Sequence, residues 1–312
     1  MGVGQGTRGD NLMSIDYAQA FDAYEAVRHR LPPYVSAGTT PVSLGTLDDL
    51  ADDFDVFFRD AFGVLNIGER AIPEVPARIA ALQAAGKRVL IVSNAAGFPH
   101  ATLVEKYTRL GYCFDPDDII TSRKSLLAGL DGRRDMHWGL MATRSTGLQD
   151  LEGLNMTYIE EDPTAYDRVD GFLMIGSAAW TEERQTLLET ALRKRARPVL
   201  VGNPDIVAPR EQGFSSEPGY FAHRLADHTG IEPEFFGKPF NNIYDLAFKQ
   251  VGSVDPTRIL MVGDSLHTDI LGAHSVGIKS ALIAGYGFFA GQDINKAMES
   301  AKIFPNYVLA RP

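Results

Sequence analysis

Short apolar runs alternate with stretches of helical period along most of this chain, the pattern of a parallel β-sheet covered by helices. Residues 15–30 place Tyr17, Phe21, Tyr24 and Val27 at helical spacing, and Leu31-Pro32-Pro33 stops the run. Residues 47–53 predict a second short helix. The run Val56-Phe57-Phe58 predicts a buried strand that breaks into the turn Arg59-Asp60-Ala61-Phe62-Gly63. The alternation then becomes regular, with a helix expected over 75–85, a strand over 88–92, and helices over 100–110 and 118–130. Strands follow at 138–142, 172–175 and 198–201, with helices over 181–193 and 220–229. A helix over 243–251, a strand over 259–262, a helix around 269–273 and a strand over 280–283 complete the pattern. No repeat and no low-complexity linker marks a domain boundary.

Composition narrows the classes. At 312 residues the chain exceeds one average domain, so two are expected. Hydrophobic content of 45% against 22% charged excludes a disordered chain. No stretch approaches the roughly 20 apolar residues of a membrane helix, so no membrane partner is expected. Forty acidic against 30 basic residues give a formal charge of −10, which argues against nucleic acid as a partner. A small anion is still compatible, because a few cations or a metal inside a pocket override the global field. The one cysteine, Cys113, leaves no intrachain disulfide and no thiolate metal cluster. Residues 1–10 are glycine-rich without an apolar signal core, so they read as a flexible leader and the cytoplasm as the default location.

Four segments stand just beyond predicted strands, where open α/β sheets bind ligands. They are Asp60-Ala61-Phe62-Gly63, Ser93-Asn94-Ala95-Ala96, Gly237-Lys238-Pro239, and Gly263-Asp264-Ser265 continuing to Thr268-Asp269. In combination they describe a phosphoryl-transfer site. A carboxylate such as Asp60 can attack phosphorus and split a hard hydrolysis into two steps. Asp60 and Asp264 repel, so they call for a cation between them, and magnesium suits carboxylate and phosphate oxygens. Ser93 and neighbouring N–H groups can take the other phosphoryl oxygens, and Lys238 supplies a positive point charge. Asp269 could hold Lys238 or a metal-bound water. Singly, each segment has a plainer reading as a turn, a helix cap or a solvated lysine.

The ordered set resembles the haloacid dehalogenase (HAD) superfamily, and more narrowly its class IIA phosphatases of the NagD and 4-nitrophenylphosphatase type. The resemblance runs from about Asp60 to about Gly287. It implies a nucleophile at Asp60, a phosphate-binding Ser93-Asn94, a charge-balancing Lys238, and an acidic pair at Asp264 and Asp269. It further implies magnesium held by Asp60, the Phe62 carbonyl and Asp264. Asn203-Pro204-Asp205, followed by Pro209 and Pro218-Gly219, resembles the family's specificity loop, so Asn203, Asp205 and Arg210 are the expected substrate contacts. The implied fold is a Rossmann-like core over 47–124 and 231–312, with a C2-type α/β cap inserted over 125–230. Residues 1–46 would be a helical appendage. Many members dimerise through the cap, so the resemblance is compatible with a homodimer, while the sequence itself leaves the oligomeric state open.

One position departs from the family. Its phosphatases generally carry a second aspartate two residues after the nucleophile, which protonates the leaving group and then activates water. Phe62 stands there. General acid–base help is worth roughly 10²–10⁴-fold, so two function classes remain: a magnesium-dependent phosphatase of a small phosphorylated metabolite, slow on poor leaving groups, and a HAD-fold binding or regulatory protein with weakened hydrolysis. Gly285-Tyr286-Gly287-Phe288-Phe289-Ala290 matches a dinucleotide fingerprint but lacks the second strand and acid about 20 residues on, and is set aside.

Overall fold

The computed structural model describes residues 15–34, 40–210 and 213–312. The expected leader over 1–10 and the Glu211-Gln212 step of the expected specificity loop lie outside these.

Two all-parallel sheets carry the fold. The larger has seven strands in the order Val42–Leu44, Tyr307–Leu309, Lys279–Ile283, Ile259–Gly263, Val56–Arg59, Arg88–Ser93 and Ile119–Thr121. Its central strands read as unbroken apolar runs because helices bury both faces. On one face Val75, Ile79, Leu82 and Leu103 pack against Phe57, Ile91 and Val262. On the other, Ile243, Tyr244 and Ala247 pack against Phe58, Leu90 and Met261. From Val56–Arg59 the chain moves to Arg88–Ser93 on one side, whereas from Ile259–Gly263 it moves to Lys279–Ile283 on the other. The two meet as neighbours, so a crevice opens at their carboxyl ends, the position where such sheets bind ligands.

The second sheet has five strands, ordered Glu234–Phe235, Val199–Val201, Gly171–Met174, His137–Met141 and Asn155–Tyr158. Helix Glu182–Lys194, capped by Thr181, and helix Pro218–Thr229 bury Leu188, Leu192 and Leu225 against Phe172, Met174 and Val201. The opposite face, with Leu140, Leu173 and Leu200, meets Leu126 and Phe236. An α/β fold with a Rossmann-like sheet and a second α/β unit is thus present as expected.

The boundaries differ from expectation in three places. Glu234–Phe235, assigned to the returning core segment, is an edge strand of the second sheet, paired with Leu200 and Val201. Val42–Leu44, assigned to the helical appendage, is an edge strand of the first sheet, paired with Tyr307–Leu309. The helix expected over 118–130 begins only at Ser122, because the β-branched run Ile119–Thr121 pairs with Arg88–Ser93 and Thr121 then caps the helix. The N-terminal helix is Tyr17–Ala26, started by a capping box of Asp16 and Gln19. No helix among the described residues is long and apolar enough to cross a membrane.

Candidate active site

Three adjacent strands end in the expected site residues. Asp60 extends Val56–Arg59 by one residue, its N–H bonded to the Val262 carbonyl at 2.9 Å. Ser93 closes Arg88–Ser93, and Asp264 follows Ile259–Gly263. Lys238 enters from the loop between Glu234–Phe235 and helix Asn241–Val251. Asn94 fastens it there. The Asn94 Oδ1 accepts from the Lys238 N–H at 2.7 Å, and its Nδ2 donates to the Lys238 carbonyl at 2.9 Å and to Asp205 Oδ1 at 2.7 Å. Asn94 therefore spends its polar atoms on aligning the lysine with the loop from the second sheet.

Lys238 is 2% exposed, and its Nζ donates to Asp60 Oδ1 at 2.6 Å and Asp269 Oδ1 at 2.7 Å. Burial alone would lower its pKa, but the charges on Asp269 and Asp60 outweigh that and raise it, so it stays an ammonium. Asp269 is held on its other oxygen by the Asp264 and Ser265 N–H groups, both at 3.1 Å. Asp264 Oδ2 accepts from the Phe288 N–H at 2.8 Å, and burial, then Asp60 and Asp269, push its carboxyl well above the usual range.

Carboxylate oxygens of Asp60, Asp264 and Asp269 lie within 4.8 Å of one another. Three acids facing one ammonium form a set that a divalent cation would balance, and hard oxygen donors suit magnesium or calcium. The Phe62 carbonyl is also at hand. The bridge between Phe62 and Asn66 uses the Ala61 carbonyl and the Gly63 N–H, leaving the carbonyl of Phe62 outside it. The donor set fits the expected metal.

Glycines make room for Asp264. A Cβ at Gly63 would stand 2.5 Å from Asp264 Oδ2, and one at Gly287 1.8 Å, and both residues have positive φ (74° and 71°). The glycine pattern around residue 285 thus has a different purpose from nucleotide binding: Gly287 admits the carboxylate and Phe288 donates to it. Gly287→Ala is expected to cost about 1–2 kcal/mol in backbone strain alone and more from the displaced carboxylate, measured by urea denaturation.

Above the acids lies a cavity of about 550 Å³ lined from both sheets. At its floor, the N–H groups of Ala61, Phe62, Asn94 and Ala95 donate to no described acceptor, and all four residues line the space beside Ser93 and Lys238. Such a nest of N–H groups suits the oxygens of a phosphoryl group. The half-buried Phe62 ring lines the same space.

Asn203, Asp205 and Arg210 all reach the wall, each already engaged. The Arg210 Nη2 pairs with Glu217 Oε1 at 2.8 Å and its Nε donates to Ser215 Oγ at 2.7 Å. The Asn203 Nδ2 donates to Glu217 Oε2 at 3.3 Å. Burial raises the Glu217 pKa against the opposing charge of Arg210. Burial also raises Asp205, to about 7, although its bond from Asn94 opposes this. Glu217 and Ser215 were not anticipated from sequence; Pro218-Gly219, next to Glu217, was the nearest signal. Tyr24, likewise unanticipated, reaches the wall from the N-terminal helix.

Comparison with known proteins agrees with the geometry. A model described as haloacid dehalogenase-like hydrolase matches residues 57–153, and a HAD-hydrolase-like model matches 235–310. Chronophin from Bos taurus is 30% identical over 233 residues, 72% of this chain and 78% of that protein. An acid sugar phosphatase from Staphylococcus epidermidis is 28% identical over 225 residues, 70% of this chain and 80% of its own. A crystal structure of a haloacid dehalogenase-like hydrolase from Brucella suis 1330 superposes with a TM-score of 0.71 at 27% identity, covering 86% of this chain and 99% of that one.

Proposed function

The chain belongs to the haloacid dehalogenase-like hydrolases, on their NagD-like class IIA branch, and from that premise we propose a magnesium-dependent phosphatase that cleaves a small phosphorylated sugar or related metabolite through an aspartyl-phosphate on Asp60. The observation that carries this is Lys238 bonded to both Asp60 and Asp269 beneath a cavity lined by Ala61, Phe62, Asn94 and Ala95, whose N–H groups have no acceptor among the described residues. The names of the relatives support the substrate class: acid sugar phosphatase is one of them.

In this reading the substrate's phosphoryl oxygens take the Ala61, Phe62, Asn94 and Ala95 N–H groups and the Ser93 hydroxyl. An Asp60 oxygen attacks phosphorus, the bond to the leaving oxygen breaks, and the phosphoryl group stays on Asp60. Water then attacks phosphorus and frees the carboxylate. Lys238 offsets negative charge throughout, and Asp269 holds it in line. Asp60, the Phe62 carbonyl and Asp264 would hold the metal, which when bound neutralises charge on the phosphoryl oxygens. Asn203, Asp205 and Arg210, with Glu217, form the wall that meets the leaving group. The many hydrogen-bonding atoms there suit a hydroxyl-rich one. The same reading carries a cytoplasmic homodimer paired through the cap, whose mass light scattering would report.

The deciding experiment is phosphate release from a panel of phosphorylated metabolites, after chelation and again with magnesium restored. Metal-dependent release is expected. No release from any ester under either condition would favour the binding or regulatory reading, for which Phe62 is the specific observation. Lys238→Ala should lower kcat by about 10²–10³, the loss typical of removing one preorganised charge at a developing anion, read from steady-state kinetics on the best substrate.

A further inference from the structure

The N-terminal helix lies outside the machinery above, yet it reaches into the cavity. Tyr24 is 3% exposed and its hydroxyl accepts from the Ile206 N–H at 3.2 Å, in the loop that carries Asn203 and Asp205. Its ring stacks on His267 (centroids 4.9 Å, planes 11° apart) and meets the edge of Phe288. Both partners belong to the acidic floor: His267 lies between Asp264 and Asp269, and the Phe288 N–H holds Asp264. His267 is fixed in turn by Glu25, its Nε2 2.5 Å from Oε1.

The same segment grips the second sheet's side at two more points. The Phe214 N–H donates to the Ile15 carbonyl at 3.0 Å, at the start of strand Phe214–Ser216, which leads to Glu217. Arg30 pairs with Asp227 at 2.7 Å on helix Pro218–Thr229. Tyr17 packs against Phe288 and Phe289 of the core.

We propose that Tyr24 is a specificity-determining and positioning residue: it clamps the loop around Ile206 and forms the wall that limits the size of leaving group the cavity admits. The size limit rests on the phosphatase reading; the clamp does not. Removing the ring opens the cavity beside the leaving group, so bulky esters gain relative to small ones. Removing only the hydroxyl frees the Ile206 amide while leaving the stack on His267 intact.

The test compares phenyl phosphate with 1-naphthyl phosphate in the full chain with magnesium. In Tyr24→Ala the naphthyl-to-phenyl ratio of kcat/KM should rise about tenfold or more, within the span a changed apolar wall produces. In Tyr24→Phe, amide hydrogen exchange at Ile206 should quicken about tenfold as the local closed state loses its bond. If Tyr24→Ala does not fold, Tyr24→Leu carries the ratio measurement. An unchanged ratio in a folded variant, or unchanged exchange at Ile206 in Tyr24→Phe, overturns the proposal. If the native chain cleaves neither ester, the phosphatase reading falls by itself. The ratio is then read from the Kd values of the two esters by calorimetry, and the exchange measurement stands as it is.

Discussion

Asp60→Asn is expected to lower turnover by about 10⁴–10⁶, the scale on which loss of a nucleophile acts. The substitution keeps the shape of the side chain but replaces the attacking carboxylate with an amide, which cannot form the aspartyl-phosphate, an acyl phosphate. Lys238 retains Asp269 at 2.7 Å, so the lysine stays anchored after losing its bond to Asp60. Neutralising one of three clustered acids also relieves repulsion with Asp264 and Asp269, whose oxygens lie within 4.8 Å of those of Asp60. The variant should therefore fold, and a melting curve at least as high as the native one separates lost chemistry from lost structure. Acid-quenched native enzyme should carry a phosphoryl mass on the peptide containing Asp60, and the variant should not. Residual activity above about one per cent, with the same metal dependence, would move the nucleophile elsewhere.

The parts of this molecule that were readable in the sequence are those fixed by local pattern. Val56-Phe57-Phe58 and Ile259-Leu260-Met261-Val262 announce buried strands because each is covered on both faces, and the acids that follow them had to emerge at the sheet's carboxyl edge. Edge strands were not readable. Val42–Leu44 has one neighbour and leaves Val42 exposed, and Ile119–Thr121 runs straight into a helix, so neither carries a long or alternating apolar signature. The site divides in the same way. Asp60, Ser93, Lys238 and Asp264 are marked by position after a strand or by short motifs. The partner that occupies Arg210, and the tyrosine that holds Ile206 from 182 residues away, arise only when distant segments meet. Arg210 looked available for an anion because nothing local signals that Glu217 folds back against it through Ser215.

Phe62 sets the remaining expectation: without a carboxylic acid at that position, cleavage should depend steeply on the acidity of the leaving group. An aryl or acyl phosphate releases a stable anion that needs no proton, whereas an alkyl phosphate must have its oxygen protonated as the bond breaks, help worth roughly 10²–10⁴-fold. Asp269 cannot supply that proton, because both its oxygens are committed, to Lys238 and to the Asp264 and Ser265 N–H groups. The rival donor is Asp205, which lines the cavity and which burial raises to about 7. A group raised in this way is protonated below its pKa, so if Asp205 acts, alkyl ester hydrolysis falls as pH climbs through about 7, and Asp205→Asn slows the reaction and removes that fall. If it does not act, rates across esters of graded leaving-group pKa fall along a steep line, and the aspartyl-phosphate accumulates as a burst because its hydrolysis lacks a base as well. Phe62→Asp should then raise alkyl ester turnover by about 10²-fold or more while changing aryl esters little, since only the former need the proton. A flat dependence in the native chain, with bond cleavage rate-limiting and Asp205→Asn without effect, would mean that neither side chain governs departure and that the leaving oxygen takes its proton from solvent.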